Sequence, residues 1–366
     1  MYETIRPLLF RLDAERAHRL SVAAARLAQA TTMAPLDAQF GFADPALGQK
    51  RWGLSFANPV GLAAGFDKDA RLVPFWQRLG FGFVEVGSVT ARPSKGNPRP
   101  RAFRLPDDRA LINRMGLNNQ GAEKVARRIA RLETARSVPL GINLAKTHDP
   151  AILGDDAVED FRFSFRRLAP LADYVALNIS CPNTAEGKTF EEPDALDALL
   201  AAVFHERKEL GLKVPVLVKL SPPLSPKVVY DSQVEEAVAA ALAHGVHGFI
   251  ATNTASDRAH LETAPGVLEQ IGRGGLSGAP LRARATQLVR YLYRKTGGRV
   301  PIIGVGGIFT PEDAYERIRA GAALVQVYTG LVYEGPGLVR TLKEGLVRLL
   351  DADGHSSLAA AIGLDA

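Results

Sequence analysis

The chain of 366 residues has little cysteine and histidine, with one and seven residues respectively. One cysteine cannot form a disulfide within the chain, and it is too few for a cysteine-ligated zinc or iron–sulfur site. The histidines show no spacing typical of metal ligands, so we predict no metal site. Such sparse cysteine fits a reducing compartment.

Long apolar runs are also absent, and no stretch reaches the ~18 residues that a membrane-spanning helix needs. Five arginines interrupt the N-terminal stretch and argue against a secretory signal peptide: Arg6, Arg11, Arg16, Arg19 and Arg26. Neither a Ser-His-Asp signature nor a Walker loop is present. The pattern predicts no transmembrane segment and leaves binding to a membrane surface open.

The composition is that of a globular protein, with 46% hydrophobic and 23% charged residues, and it allows a large core. The length would suggest two domains of ~150 residues each, but closed α/β barrels often exceed that size as one unit. The net charge of +6 permits binding to phosphates, nucleic acid or an anionic membrane and does not choose among them.

Residues 1–40 differ from the rest and predict a small helical hairpin. Its apolar faces comprise Ile5, Leu8, Leu9 and Leu12, then Ala17, Leu20, Ala24 and Leu27, and Asp13 can cap the second helix. The opposite faces are rich in arginine. Such a hairpin suits a membrane surface. Two helices packed on their own domain would show the same periodicity, so both interpretations stay open.

Residues 41–366 alternate short apolar strands with amphipathic helices. The eight strand candidates lie near 59–64, 82–87, 139–144, 174–178, 215–220, 247–252, 301–305 and 323–328. Helix starts are indicated by Thr310 with Pro311 and by Ser232 with Glu235. Eight β–α alternations predict a (β/α)8 TIM barrel with its active site at the C-terminal strand ends. The long connection 89–120 is typical of a lid or binding element.

The fourth strand runs into two carboxamides that flank the cysteine. Asn178 and Asn183 can hold a planar polar ligand while Cys181 exchanges a proton with it. A turn with a buried structural cysteine is the alternative interpretation. Polar groups at the ends of several other strands favour a functional role for these three residues.

Glycines and small polar residues follow strands seven and eight, at Gly304–Gly307 and Tyr328–Gly330. Barrels of this type bind phosphate there through backbone N–H groups. The pair therefore predicts a phosphorylated cofactor. Lys219 at the end of strand five can stabilise negative charge on a reduced isoalloxazine ring.

Six motifs carry a resemblance to one family. They are Gly61–Lys68, Asn113–Gly116, Asn178–Asn183, Thr252–Thr254, Gly274–Gly278 and Val325–Gly330. They resemble dihydroorotate dehydrogenase, specifically its quinone-linked, membrane-associated class, and the resemblance extends over nearly the whole chain. The resemblance implies oxidation of (S)-dihydroorotate to orotate in pyrimidine biosynthesis, with one non-covalent FMN per chain and electrons passed to a membrane quinone.

The resemblance also implies roles for individual residues. FMN would contact Ala64, Gly65, Phe66, Asp67, Lys68, Ser88, Asn143, Asn178, Lys219, Thr252, Ser277, Gly278, Gly307, Tyr328 and Thr329. Dihydroorotate would contact Lys68, Asn113, Arg114, Met115, Gly116, Leu117, Asn178, Asn183, Asn253 and Thr254. Cys181 would remove the C5 proton as hydride leaves C6 for flavin N5. The hairpin would form a quinone tunnel with His18, Arg101 and Tyr328 near its inner end.

By the same resemblance we expect a monomer at the cytoplasmic face of the cell membrane, bound to an anionic membrane surface and to no nucleic acid. Cys181 departs from the quinone-linked class, where serine is usual, and resembles the soluble class, which uses fumarate or a partner subunit. The hairpin and the context of Arg101 still favour the quinone-linked class. Because a free thiol titrates near ~8.5, we predict flavin reduction at lower pH than in serine-bearing relatives.

Two rival functions are a flavin barrel acting on RNA, such as a tRNA dihydrouridine synthase, and a non-catalytic phosphate-binding barrel at a membrane. The first would use the basic charge, but only about 36 residues follow strand eight, too few for an RNA-binding domain. The second gives no reason for Lys68 and the amides to converge.

Overall fold

The computed structural model describes residues 2–31, 34–132, 135–179, 189–223 and 231–366. Its strands are β1 (Gln49–Arg51), β2 (Leu54–Phe56), β3 (Val60–Leu62), β4 (Phe83–Val89), β5 (Ala102–Leu105), β6 (Ala110–Asn113), β7 (Leu140–Leu144), β8 (Tyr174–Asn178), β9 (Val216–Leu220), β10 (Gly248–Ala251), β11 (Gly275–Gly278), β12 (Ile302–Val305) and β13 (Leu324–Val327). Its α-helices are α1 (Tyr2–Arg11), α2 (Ala14–Ala30), α3 (Ala34–Phe40), α4 (Val73–Arg78), α5 (Ala122–Ala130), α6 (Gly154–Leu168), α7 (Pro193–Glu209), α8 (Ser232–Ala243), α9 (Pro265–Ile271), α10 (Arg282–Thr296), α11 (Pro311–Arg319), α12 (Thr329–Glu334), α13 (Leu338–Ala352) and α14 (Leu358–Ala361). Short 3₁₀ helices cover Pro45–Leu47, Ala169–Leu171, Thr189–Glu191 and Ala279–Leu281.

Eight parallel strands close into a barrel in the order β3, β4, β7, β8, β9, β10, β12 and β13. Each of the eight predicted strands is present, which confirms the (β/α)8 fold. Every residue of β7, β8 and β9 is buried, as expected for strands covered on both faces. The strand register brings Asn178 beside Lys219 at the same end of the barrel.

The antiparallel pair β1–β2 plugs the N-terminal end of the barrel. Phe56 packs edge-to-face on Phe83 with ring centroids 5.5 Å apart, and burying such a side chain contributes about 1.5–3 kcal/mol. Gly61 leaves the space for that ring, because a Cβ there would lie 2.2 Å from Phe83. The core therefore closes one end and leaves the other for ligands.

The N-terminal helices contact the rest of the chain through polar and aromatic groups. Asp13 caps α2 as predicted, accepting a hydrogen bond from Arg16 N at 2.9 Å. Arg104 of β5 donates to Leu9 O at 3.0 Å and lies 4.6 Å from the ring centroid of Phe10. The last turn of α1 is thereby held against β5. The third helix, α3, was not predicted.

Two sequence expectations need correction. The connection 89–120 is no single loop, since β5 and β6 within it pair with each other and β6 also pairs with β11, which gives a three-stranded antiparallel sheet. Thr310 does begin a helix, with Asp313 completing a capping box. Ser232 does not cap α8, because the preceding Asp231 accepts from Gln233 N at 3.1 Å and occupies the N-cap.

Candidate active site

The C-terminal ends of the barrel strands surround a cleft. The empty space within it is about 1030 Å³, including open solvent at its mouth. It is lined by Ala63, Ala64, Gly65, Lys68, Ser88, Asn113, Met115, Gly116, Leu117, Asn178, Lys219, Thr252, Asn253, Thr254, Ser277, Gly278, Leu281, Val305, Gly306, Gly307, Ile308, Gln326, Val327, Tyr328, Thr329 and Gly330. Most of the predicted site residues are therefore brought together in one place.

Four cleft residues join in a row of hydrogen bonds that crosses strand ends. Asn178 Nδ2 donates to Ser88 Oγ at 2.9 Å, and Asn253 Nδ2 donates to Asn178 Oδ1 at 3.0 Å. The backbone N–H of Thr254 donates to Asn253 Oδ1 at 2.9 Å. Every amide in the row has its orientation set by a neighbour, so the site is rigid on this side.

Two lysines bring positive charge to the cleft. Lys68 Nζ donates to Gly65 O at 2.6 Å, which holds the ammonium against the turn after β3. Lys219 on β9 is buried and lines the same cleft. An ammonium in such a site can pair with a carboxylate or stabilise charge that develops on a ring.

The side of the cleft formed by β11, β12 and β13 is rich in glycine. Gly307 has a φ of +71°, and a Cβ there would lie 2.6 Å from Arg282 Cα. The hydroxyls of Ser277 and Thr329 lie 2.8 Å apart beside this turn. Bare backbone and small hydroxyls are the groups that hold a phosphate in barrels of this kind.

Several predicted site residues do not line the cleft, namely Phe66, Asp67, Arg114, Asn143, His18 and Arg101. The carboxylate of Asp67 accepts from two backbone amides at 2.8 Å and from Trp76 Nε1 at 3.3 Å, and burial raises its pKa. The guanidinium of Arg114 donates to Ile271 O and lies 4.7 Å from the ring centroid of Phe103. Both side chains are therefore engaged by other parts of the protein.

Of the predicted quinone-site residues, His18 lies on α2 and Tyr328 lines the cleft. The ring of His18 lies 5.3 Å from that of Phe66, whose ring lies 5.1 Å from Tyr328. Burial and the nearby Lys68 lower the pKa of His18 to about 4, so its ring is neutral at neutral pH. Burial raises the pKa of Tyr328 to about 12. The three rings form a continuous aromatic path between α2 and the cleft.

Arg101, the third predicted quinone-site residue, is bound to Glu15 of α2. Its Nε and Nη2 donate to the two oxygens of Glu15 at 3.1 and 2.9 Å. Its Nη1 donates to the carbonyls of Lys95 and Asn97 at 2.7 and 3.0 Å. These bonds link α2 to the backbone at Lys95 and Asn97, so Arg101 fixes the position of α2.

Cys181 and Asn183 lie outside the described residues. The strand that leads to them, β8, ends at Asn178 on the wall of the cleft. Gln326, by contrast, lines the cleft although sequence reasoning did not name it as a site residue. A glutamine inside the apolar run of strand eight was the signal that could have identified it.

Comparisons with known proteins agree with this geometry. A family model described as dihydroorotate dehydrogenase matches residues 46–350. The chain is 48% identical over 368 residues to the dihydroorotate dehydrogenase (quinone) of a Roseiflexus species, covering 100% of this chain and 98% of that protein. It is 47% identical over 371 residues to the protein of the same name from Anaeromyxobacter dehalogenans, covering 100% and 97%.

The fold is similar to solved structures of DHODH from Eimeria tenella. One, in complex with ferulenol, superposes with a TM-score of 0.86 at 35% identity and covers 96% of each chain. The ligand-free form gives a TM-score of 0.86 at 36% identity, covering 96% of this chain and 99% of that one.

Proposed function

This chain belongs to the dihydroorotate dehydrogenase family, and we propose that it oxidises (S)-dihydroorotate to orotate with FMN as cofactor and a membrane quinone as electron acceptor. The observation that carries the proposal is the convergence of Lys68 with the amides of Asn113, Asn178 and Asn253 in one cleft. An ammonium pairs with the substrate carboxylate, and amides can both donate to and accept from a planar ring that carries N–H and C=O groups.

The residues present fit FMN. The glycine turn at Gly307, with Ser277 and Thr329, suits its phosphate, and Lys219 suits the charge of a reduced ring. Gln326 Oε1 is buried, and no group in the described part of the chain donates to it, so it can accept a hydrogen bond from a ligand. When bound, FMN supplies the acceptor for the hydride that leaves C6 of the substrate.

Cys181 is proposed as the base that takes the proton from C5. The support is its place three residues after Asn178, where β8 reaches the cleft, and the family resemblance of that motif. A thiol is a better base near neutrality than a serine hydroxyl, because its pKa is near ~8.5. Stopped-flow flavin bleaching across pH tests this role. We expect the rate of wild type to rise at lower pH than that of Cys181→Ser, and coincident profiles would refute it.

Residues 1–40 are proposed to bind the membrane and admit the quinone, with residues 41–366 forming the catalytic barrel. Four large apolar side chains of α1 and α2 are exposed, at 46% to 70% of their surface: Ile5, Leu8, Leu20 and Leu27. Contact with lipid would remove this surface from water. No helix in the described ranges is long and apolar enough to cross a bilayer.

Exposed arginines of the same helices, Arg11, Arg16, Arg19 and Arg26, suit anionic headgroups. We therefore propose a peripheral protein at the cytoplasmic face of the membrane. A monomer is proposed as well, since one chain supplies the whole cleft described above.

The proposal is tested with purified protein under anaerobic conditions. Dihydroorotate should bleach the bound flavin, and a short-chain quinone, but not fumarate, should restore its colour. Reoxidation by fumarate alone would place the chain functionally with the soluble class despite its N-terminal helices. A flavin that dihydroorotate does not bleach would refute the dehydrogenase function and favour a barrel acting on another substrate.

A further inference from the structure

A buried carboxylate on β4 lies beneath the cleft and has no place in the proposed chemistry. Glu85 is fully buried, and three donors surround it. Asn143 Nδ2 donates to Oε1 at 3.0 Å, while Tyr174 Oη and Gln326 Nε2 donate to Oε2 at 2.9 and 2.8 Å. Both oxygens of a carboxylate can only accept hydrogen bonds, so each neighbouring amide must turn its NH₂ group toward Glu85.

The first consequence concerns Ser88. Because Asn143 turns its NH₂ toward Glu85, its Oδ1 faces Ser88 and accepts that residue's hydroxyl hydrogen. The oxygen of Ser88 then accepts from Asn178 Nδ2 at 2.9 Å. With its only hydrogen used in this way, Ser88 faces the cleft as an acceptor.

The opposite end of the row fixes the same direction of hydrogen-bond donation. It ends at the backbone N–H of Thr254, which can only donate and does so to Asn253 Oδ1. Asn253 in turn donates to Asn178. The row therefore runs from a donor that cannot accept to a carboxylate that cannot donate, and one set of amide orientations satisfies both ends.

The second consequence concerns Gln326. Its Nε2 is held by Glu85, so its Oε1 is fixed on the other side of the amide, and nothing in the described residues donates to that oxygen. Gln326 lines the cleft together with Ser88. Two acceptors of the cleft are thus oriented by one buried group.

We propose that Glu85 is a positioning residue that fixes Ser88 and Gln326 as hydrogen-bond acceptors, so that the cleft selects a planar heterocycle presenting N–H donors. Rings with imide or ureide N–H groups, such as a flavin or a pyrimidine dione, have this chemistry. The inference rests on the proposed function, since it takes FMN and orotate as the ligands. Glu85 acts through Asn143 and Gln326 and need not touch either ligand.

The isosteric variant Glu85→Gln tests the polarity. If the introduced glutamine turns its NH₂ toward Asn143, the amide of Asn143 flips and the hydrogen of Ser88 is released toward the cleft. If the NH₂ turns toward Gln326 instead, Gln326 flips and presents its own NH₂. Either arrangement changes one acceptor of the cleft into a donor. We expect a dissociation constant for FMN or for orotate that is about tenfold to a hundredfold higher, the range for a mismatched buried hydrogen bond.

A compensating variant separates polarity from mere packing. In Glu85→Gln/Asn143→Asp the carboxylate moves one residue along the row. The introduced aspartate then accepts from both Ser88 and the NH₂ of the introduced glutamine, while the carbonyl of that glutamine still accepts from Gln326. Asn143 does not line the cleft, so its replacement changes the cleft only through Ser88. Both cleft acceptors are restored, so FMN and orotate affinities should return to within about threefold of wild type, as expected when a satisfied network is rebuilt.

Asp160→Asn is the matched control. Asp160 is also a buried carboxylate, accepting from Thr147 N and Oγ1 at 2.8 and 2.7 Å, but it lies on α6 outside the cleft. The control variant should lose thermal stability without a change in FMN or orotate affinity. FMN affinity is measured by reconstituting apoprotein, orotate affinity by the flavin absorption change, and stability by the melting temperature of the holoprotein.

The outcomes are distinguishable. Wild-type ligand affinities in Glu85→Gln, or a double variant that binds no better than the single one, would overturn the positioning role and leave the dehydrogenase function untouched. A wild-type protein that binds no FMN would overturn both. Should Glu85→Gln fail to fold, the double variant alone decides: folding with near wild-type affinity supports the inference, and failure to bind contradicts it.

Discussion

Replacing Glu15 by glutamine should loosen α2 from the barrel while leaving dihydroorotate oxidation intact. Glu15 is 7% exposed and accepts two hydrogen bonds from Arg101, itself 5% exposed, and a third from Arg99 Nε at 3.0 Å. His18 lies one turn further along the same helix and contacts Phe66. Loss of this ion pair should therefore disturb the proposed quinone site at α2 and leave the cleft at the C-terminal strand ends unchanged.

The magnitude follows from the burial of the pair. Removing one partner of a buried salt bridge typically costs about 3–5 kcal/mol. Arg101 keeps its bonds to two backbone carbonyls, which favours the lower value. A change of ~3 kcal/mol raises the population of the detached helix by about two orders of magnitude.

The same ion pair should respond to acid. Burial raises the pKa of Glu15, but the hydrogen bonds and charges of Arg101 and Arg99 outweigh it, so the net shift is downward. A carboxyl group with a lowered folded pKa stabilises the docked helix fully above its unfolded pKa, near ~4.5. That contribution is lost as pH falls through the folded value. The wild-type helix should therefore stay docked at neutral pH and loosen only below the ordinary glutamate range.

The assay separates the two half-reactions. Stopped-flow bleaching by dihydroorotate should be unchanged in Glu15→Gln, reoxidation by a short-chain quinone should slow, and hydrogen exchange in α2 should rise. Asp37→Asn is the control, since it breaks an exposed ion pair between Asp37 and Arg78, worth about 0–1 kcal/mol. Unchanged quinone reoxidation and hydrogen exchange in Glu15→Gln would refute the reasoning, as would equal slowing of both half-reactions.

Three further predictions follow from single sites. Gly307→Ala should lower the FMN content per chain, read from the visible absorbance, because the added Cβ would lie 2.6 Å from Arg282 Cα at a φ of +71°. Full FMN occupancy in this variant would contradict the proposed phosphate site at the glycine turn. Leu8→Glu and Leu27→Glu should each weaken cosedimentation with anionic vesicles and leave flavin bleaching unchanged, since these side chains are 61% and 70% exposed; undiminished binding would exclude this face. His18, with its pKa lowered to about 4, should give NMR signals of a neutral ring from pH 6 to 8, and titration near ~6.5 would show that its ring is solvated.

The barrel was predictable because strands that are buried on both faces are rich in apolar residues along their whole length. Mainly apolar runs mark the eight barrel strands, and a parallel barrel brings their C-terminal ends to one face. Residues as distant in sequence as Lys68 and Asn253 could therefore be placed in one cleft before any coordinates existed. The capping of α2 by Asp13 was equally readable, because it depends on neighbours in sequence.

What sequence reasoning missed depends on contacts between distant elements. Strands β5 and β6 pair with each other as a local hairpin that was assigned to a loop. The third strand of their sheet, β11, lies far along the chain and pairs with β6, with Asn113 opposite Gly275, 162 residues later. Glu85 gave no functional signal because a lone glutamate in a strand is usually exposed. Its three donors come from β7, β8 and β13, and only closure of the barrel brings them together.

The two proposed half-reactions rest on parts of the molecule that are held in different ways. The flavin end is supported from below by a hydrogen-bonded network rooted in a fully buried carboxylate, so its geometry is as stable as the barrel core. The proposed quinone end is attached by polar and aromatic contacts, α1 has no buried residue, and α2 buries only Glu15, Ala17 and Ala25. Elements with so little buried surface open at low free-energy cost. A bulky apolar acceptor that arrives from lipid needs such an entrance, whereas hydride transfer needs fixed groups, and the proposed function assigns the two demands to separate elements of this chain.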